Sequence, residues 1–429
     1  MSAGIVIMNK NAIAMAADSA VTVGDHVAIH NSANKLFALS VFEPVGVIIY
    51  ANAQFMQIPM EIIIKQYKSE LGRRSFSFLE EYVDNFITFL ETHSELFHFS
   101  KNEEAYVLDV CANLLKGLAN DYKFKMKRLL ENVGRPLQDN EIEQIQTEAI
   151  AGTMQYIDGQ NKISDIFSDY IKSNYFDRII ELIRTNFDWL QEPKNLAEKI
   201  CELFDTDFMR NGYMGVAVAG YGKKEVFPHM VHLKFSGILN GKLRYKKLED
   251  AVISEENQAS ITPLAQTDVM ETFISGFNDD FMHALIDSIP KAVEQRINSI
   301  AESSINTEKK EEIKAAFNGF INEVIGDITN YSRQNYVRPI VLSVAALPIE
   351  ELALFAESMI NITSVRRRVA IDGNIGTVGG PIDVAIITRG DGLIWLKRKH
   401  YFEAKKNPQF MFSRYGQPIR EVNNDEENK

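Results

Sequence analysis

Three residues near the start of the chain have the types and the spacing that acyl transfer to a serine requires. Ser2 becomes the N-terminal residue once Met1 is removed. An N-terminal serine carries a hydroxyl nucleophile and a base on one residue, because its free α-amine has a pKa of about 7.7–8.0. Asp18 ends one apolar run, and Lys35 begins another. An Asp–Lys pair beside the Ser2 hydroxyl would hold a cation there and favour its deprotonation.

The elements that must position these residues are short strands. Residues 4–9 (GIVIMN) and 12–17 (AIAMAA) are apolar runs separated by Lys10-Asn11, which predicts a hairpin. Many proteins begin Met-Ser, so Ser2 is distinguished only by this context, which places the N-terminus inside a sheet. The pattern also predicts strands over 27–30, 35–39 and 45–50, and a helix over 59–71 that ends at Gly72.

The rest of the chain alternates between helical blocks and groups of strands. Apolar residues recur at helical spacing from about 75 to 205, and strand patterns return before and after the hairpin signal Asn240-Gly241. This order indicates an α+β protein with large helical insertions and excludes an alternating parallel sheet. The later elements are predicted to be a second helical block over 263–336, a helix over 349–369, and strands over 382–388 and 393–399.

Several segments resemble one known family. The run SAGIVIMNKNAIAMAADSAVTVG, followed by NSANKLFAL, is similar to the opening of proteasome β subunits and of bacterial proteasome-like proteases. VAVAGYGKKEVFPHMVHL and GGPIDVAIITRGDG resemble the central and the final strand pairs of these N-terminal-nucleophile (Ntn) hydrolases. The resemblance covers about 1–60, 212–265 and 340–402. It implies a four-layer αββα sandwich in a long bacterial branch that carries helical insertions.

The resemblance also implies a division of the chain into six parts. Three of them would form the Ntn core, two would be helical insertions, and the polar end of the chain would be disordered, because it cannot bury enough apolar surface to fold. The core parts are 1–75, 206–265 and 337–405, the insertions are 76–205 and 266–336, and the tail is 406–429.

The resemblance assigns roles to individual residues. Ser2 falls on the nucleophilic threonine of the family, Asp18 on its strand-end aspartate and Lys35 on its catalytic lysine. The segment IIYANAQ resembles the one whose backbone N–H forms the oxyanion hole, with Ala51 nearest that position where a glycine is usual. Ile49 would line the base of an apolar specificity pocket.

The family also has supporting residues near its N-terminal amine. Ser260, which precedes the second helical block, matches the first of these. Asp372 and Thr377, in the glycine-rich run DGNIGTVGG, match the second. No metal or cofactor is implied.

Other features argue against different functions. A net charge of −12 is unfavourable for a large nucleic-acid footprint, and we read the basic run WLKRKHYFEAKK as a solvated strand end. His229 and His232 could supply only two metal ligands, and a strand would direct their rings to opposite faces. Cys111 and Cys201 fit reduced core thiols. With neither a signal peptide nor a run of about 20 apolar residues, we expect a cytoplasmic protein without a membrane partner.

We therefore predict a peptidase that uses Ser2 as its nucleophile on a peptide or protein substrate. The resemblance implies a homo-oligomer and allows an unfoldase or an adaptor as a partner. Two alternatives stay open: an amidase of the same mechanism that acts on a small amide, and a non-catalytic scaffold or interaction protein that acts through its helical insertions.

Overall fold

The structure is a computed structural model of the 429-residue chain. It describes residues 3–23, 28–30, 33–93, 99–209, 212–301, 307–369, 378–400, 402, 406 and 407. Ser2, Asp372 and Thr377 lie outside the described residues, as do most of the predicted tail and part of the strand predicted over 27–30.

One five-stranded antiparallel sheet contains the start of the chain. Its first hairpin turns at Lys10-Asn11, as the sequence predicts, and pairs Gly4 with Ala17. The strands from one edge to the other are β12 (Ala259–Ala265), β1 (Ala3–Asn9), β2 (Ile13–Ala17), β13 (Asp383–Thr388) and β14 (Gly392–Lys397).

A second five-stranded antiparallel sheet is built around the long hairpin at Asn240-Gly241. Both turn residues have positive φ, 51° and 70°, as a tight two-residue hairpin turn requires, so this prediction is confirmed. The strands in spatial order are β11 (Lys242–Val252), β10 (His229–Leu239), β9 (Met214–Gly220), β6 (Val45–Tyr50) and β5 (Leu36–Ala38). Two short ribbons pair β3 (Val21–Val23) with β4 (Ala28–His30) and β7 (Gln54–Phe55) with β8 (Ile58–Pro59).

The helices fall into the blocks that the sequence predicts. The helix after Pro59 ends at Gly72, whose φ of 55° suits a glycine terminator. The first group is α1 (Met60–Leu71), α2 (Leu79–Thr92), α3 (Phe99–Val133), α4 (Asp139–Asp158), α5 (Phe167–Asn186) and α6 (Lys194–Leu203). The second group is α7 (Asp268–Ser275), α8 (Asp279–Ala301), α9 (Thr307–Ser332), a π-helical turn (Arg333–Val337), α10 (Arg338–Ala346) and α11 (Ile349–Val369).

Alternate residues of the buried strands belong to different cores. Ile5 and Ile7 of β1 pack with residues of α11, whereas Val6 and Met8 pack with residues of the second sheet. The second sheet also contributes to a core with α1 and α2, and a further core joins helices α3 to α6. The chain is thus an α+β protein with antiparallel sheets. Among the described residues, no helix is both long and apolar enough to cross a membrane.

One element differs from the sequence prediction. Residues 259–265 form strand β12, whereas we expected a helical block from Pro263. Proline lacks an N–H group and is tolerated in an edge strand, and β12 is the edge of its sheet. Ser260 therefore lies inside a strand, and the next helix begins at Asp268.

Candidate functional site

Asp18 is the centre of a buried polar site at the start of β1. It directly follows β2, and its side chain is fully buried. Its Oδ1 accepts the Ala3 N–H at 2.9 Å, and its Oδ2 accepts the N–H groups of Ala20 at 3.2 Å and Gly379 at 3.0 Å. Because an ionised carboxylate is an acceptor only, these donors suit the charged form. Asp18 thereby fixes the peptide group that joins residue 2 to Ala3.

Lys35 completes this site from the other sheet. It directly precedes β5, and its Nζ lies 2.5 Å from Asp18 Oδ1 and 2.6 Å from the Ala20 carbonyl oxygen. The residue is 5% exposed. Burial is the largest influence and lowers the pKa of Lys35; Asp18 opposes this effect, and the positive charge of Lys399 adds to it. The expected contact between Asp18 and Lys35 is present, and their catalytic roles stay a prediction.

A second Asp–Lys pair lies beside the first. Asp383 pairs with Ala17 in the sheet, one residue before Asp18, and is 2% exposed. The Lys399 ammonium donates to Asp383 Oδ2, and the Lys399 N–H donates to Oδ1 at 2.8 Å. Lys399 was expected to belong to a solvated strand end, and that interpretation is wrong for this residue, because its side chain is only 12% exposed in the ion pair.

Ala51 lies in a strained turn directly after β6. Its φ is 66°, in the left-handed region that alanine rarely adopts. The Asn52 N–H donates to the Tyr50 carbonyl at 3.0 Å, which makes residues 50–52 a three-residue turn. The strand also carries this turn close to Lys35, because the Ile49 N–H donates to the Lys35 carbonyl at 2.8 Å.

A second alanine with a positive φ lies in the first sheet, at the end where β1 begins. Ala265 has a φ of 70° and pairs with Ala3. Positive φ in non-glycine residues concentrates at functional sites, where the surrounding structure stabilises the strain. Ala265 thus lies beside Ala3, the first described residue of β1.

Ser260 is not brought to this site. It pairs with Met8, whereas Ala3 pairs with Ala265, so the strand separates Ser260 from Ala3 by about 17 Å at roughly 3.4 Å per residue. Its hydroxyl lies 3.4 Å from the Thr262 hydroxyl instead. The predicted support of the N-terminal amine by Ser260 is therefore wrong, because the segment is a strand antiparallel to β1.

The glycine-rich run does reach the site, through a residue that the sequence interpretation missed. Asp372 and Thr377 lie outside the described residues, so their roles stay predictions. Gly379 donates its N–H to Asp18, and its carbonyl accepts the Ser19 N–H at 3.1 Å. Ser19 Oγ donates to the Pro381 carbonyl at 2.5 Å. The sequence feature that indicated this contact was the high glycine content of the run DGNIGTVGG, because glycines let backbone groups approach a buried side chain.

Other predicted positions have ordinary packing partners. Ile49 is 3% exposed and packs in the core shared with α1 and α2. His229 lies 2.7 Å from both Glu225 and Asp250, and His232 Nε2 lies 2.6 Å from the Tyr50 hydroxyl. In the described part of the chain, no group of three or more His, Cys, Asp or Glu side chains could hold a metal ion.

Comparisons with known proteins give little support beyond this geometry. No family model and no curated protein matches the chain. Solved structures that match it include Anbu (ancestral beta-subunit) from Yersinia bercovieri, at 10% identity over 98% of this chain and 95% of that chain, with a TM-score of 0.27. Another is the helical assembly of the Anbu complex from Pseudomonas aeruginosa, at 10% identity over 97% and 96% of the two chains, with the same TM-score of 0.27.

These findings correct the identification of the chain as a proteasome β-subunit-like protein of a long bacterial branch. An identity of 10% with a TM-score of 0.27 shows neither membership nor function. The segments behind the identification are short apolar strands and glycine-rich turns, which recur in many unrelated sheets. The function is therefore inferred from the geometry of the site around Asp18 and Lys35.

Proposed function

We propose that this chain is an amide hydrolase, a peptidase or amidase, whose nucleophile is Ser2 after removal of Met1. The observation that carries the proposal is the fully buried Asp18 carboxylate, which binds both the Ala3 N–H and the Lys35 ammonium. Buried ionisable pairs in strained surroundings are typical of functional sites. Residue 2 precedes Ala3 directly in the sequence, and Asp18 accepts the Ala3 N–H.

In the first chemical step, Ser2 Oγ attacks the amide carbonyl carbon and forms a C–O bond. The α-amine of Ser2 takes the hydroxyl proton, directly or through a water molecule, and delivers it to the leaving amine as the C–N bond breaks. Lys35 supplies positive charge beside the reacting hydroxyl, and Asp18 holds Lys35 in place. The backbone N–H at Ala51 donates to the developing oxyanion.

The second step regenerates the enzyme. The α-amine removes a proton from water, whose oxygen attacks the Ser2 ester, and the carboxylic acid leaves as Oγ regains its proton. No metal or cofactor takes part in this scheme. The substrate is a peptide or another amide.

The layer order of the fold forms part of the proposal. The separate cores on either side of each sheet support a four-layer αββα sandwich, with helices outside and the two sheets inside. The division into core parts 1–75, 206–265 and 337–405, the cytoplasmic location and the homo-oligomeric state likewise stay predictions.

The test uses a peptide epoxyketone, which forms a ring with both the hydroxyl and the free amine of an N-terminal serine. The proposal predicts one adduct per chain by intact mass, on protein that lacks Met1. The matched variant is Ser2→Ala, which retains the amine and should form no adduct. An unlabelled wild type with a free Ser2 amine would refute the proposal.

A second candidate function is a scaffold or interaction role for the second helical block. The observation in its favour is a set of exposed large apolar side chains on α8 and α9, which fits an interaction surface. They include Phe281, Ile286, Phe317, Phe320 and Tyr331. The same labelling experiment separates the two candidates, since a scaffold without catalysis forms no Ser2 adduct.

A further inference from the structure

The turn at Ala51 directly follows Tyr50, the last residue of β6. Ala51 has a positive φ, and such a conformation persists in a non-glycine residue only when the surrounding structure enforces it. The turn is closed on one side by the backbone, through the Asn52 N–H and the Tyr50 carbonyl. Tyr50 thus supplies the carbonyl oxygen that closes the turn around Ala51.

The side chain of Tyr50 is fixed across three strands. Its hydroxyl lies 2.6 Å from His232 Nε2, and the two residues are 5% and 8% exposed. To reach β10 from β6, the ring passes over Gly215 of β9, directly opposite Tyr50 in the sheet. A Cβ atom at Gly215 would lie 2.0 Å from Tyr50 Cζ, so only glycine leaves room for the ring.

The hydrogen bond between these side chains joins two neutral groups at neutral pH. Burial, with a smaller effect of Lys234, lowers the pKa of His232 to about 4. Burial also raises the pKa of Tyr50, with a further contribution from Tyr213. The bond thus requires no ion pair and does not change over the pH range in which an α-amine titrates.

We propose that the Tyr50–His232 hydrogen bond is a positioning element of the site, which holds Ala51 in its left-handed turn and aims the backbone there at the oxyanion. The inference rests on the proposed function, because it concerns the same reaction. Tyr50 and His232 act through Ala51, as positioning residues.

The test measures the rate of epoxyketone adduct formation in a mutant cycle. Tyr50→Phe keeps the ring and removes the hydroxyl. The rate of adduct formation should fall by up to about 10-fold, which is a smaller decrease than the loss of an oxyanion donor would cause. Ala51→Gly removes the cost of positive φ. Added to Tyr50→Phe, it should restore most of the lost rate.

Control variants separate positioning from general stability. Tyr67→Phe removes another buried hydroxyl, which donates to Asn85 Oδ1 at 3.1 Å, and should leave the labelling rate unchanged. His232→Leu breaks the bond from the other partner and should reproduce the effect of Tyr50→Phe. The bond can therefore be tested with one of the two variants if the other folds poorly.

Three results would overturn the inference. They are a wild-type rate in Tyr50→Phe, an equal loss of rate in Tyr67→Phe, or no recovery when Ala51→Gly is added. A wild type that forms no adduct is a different outcome, since it refutes the proposed function itself, and the positioning role with it.

Discussion

Lys35 Nζ lies 2.5 Å from Asp18 Oδ1, and this contact joins the two sheets. Asp18 follows a strand of the first sheet, and Lys35 precedes a strand of the second. The same Oδ1 atom accepts the Ala3 N–H. One buried ion pair thus joins the first described residue of β1 to the opposite sheet, and the proposed function depends on this arrangement.

Breaking this pair from either side should destabilise the protein strongly. Lys35→Met leaves a buried carboxylate without its counter-ion, and Asp18→Asn leaves a buried ammonium. Such changes cost about 3–5 kcal/mol, because the remaining charge is uncompensated. Urea unfolding should show this loss for each single variant, and a smaller loss for the double variant than the sum of the two.

The matched control is an exposed ion pair. Lys172 and Glu198 lie 3.0 Å apart with side chains about half exposed, 52% and 49%. Lys172→Met should change the free energy of unfolding far less than Lys35→Met does, because the exposed pair is solvated and screened. A similarly small effect for Lys35→Met would show that the Asp18 contact does not stabilise the fold.

Lys399 should influence the pH dependence of the reaction through Lys35. Among the described residues, the charges of Asp18 and Lys399 act on the Lys35 ammonium, and Lys399 is itself paired with Asp383. As pH rises, the adduct rate should first increase, because the α-amine loses its proton and can act as the base. It should then decrease as Lys35 loses its proton, because burial and Lys399 lower the pKa of Lys35. Lys399→Met removes one positive charge and raises the pKa of Lys35, so the falling limb should move to higher pH. A falling limb that does not move would contradict the coupling.

Arg244 should be among the most sensitive positions for stability. The residue has no exposed surface and donates to the carbonyls of Phe204 at 2.7 Å, Thr206 at 2.6 Å and Phe208 at 2.8 Å. It thereby attaches the end of α6 to the second sheet. Arg244→Met leaves these acceptors buried without donors and should cost about 3 kcal/mol or more in urea unfolding.

An exposed arginine provides the control for that experiment. Arg178 has a side chain that is 54% exposed in its ion pair, and Arg178→Met should change the free energy of unfolding by about 1 kcal/mol or less. If both arginine variants unfold at the same urea concentration, Arg244 does not stabilise the attachment of α6.

His229 should make stability depend on pH above the ordinary histidine range. Burial acts to lower the pKa of His229, but its hydrogen bonds with Glu225 and Asp250 outweigh this and raise the pKa above 6.5. Lys247 also contacts Asp250. A raised folded-state pKa adds stability that is fully present below about pH 6.5 and is lost as pH rises through the folded-state value.

The measurement compares the wild type with His229→Gln from pH 6 to 9. The stability advantage of the wild type should shrink as pH rises. An advantage that grows with pH would mean that His229 is neutral in the folded protein.

The strands and helices near the site could be predicted from sequence because they depend on local patterns. The hairpins at Lys10-Asn11 and Asn240-Gly241 follow from turn chemistry. The strand at Pro263 was missed, because proline also begins helices, and only the sheet shows that this strand is an edge.

The polar pairs around the site depend on tertiary structure. Tyr50 and His232 are 182 residues apart and meet only because Gly215 lies between them in the sheet. Lys399 looked like part of a solvated basic run, yet it pairs with the buried Asp383. No local pattern contains either contact, since strand order decides both.

A structure of the protein after reaction with a peptide epoxyketone would test the assignment of Ser2 as the nucleophile. We expect a ring that includes Ser2 Oγ and its α-amine, with the Lys35 ammonium still bound to Asp18. We also expect the oxygen of the probe in the oxyanion position to lie about 2.7–3.1 Å from the Ala51 backbone nitrogen. A probe bonded to another residue, or a Ser2 that stays unmodified with its amine free, would contradict the assignment of Ser2 as the nucleophile.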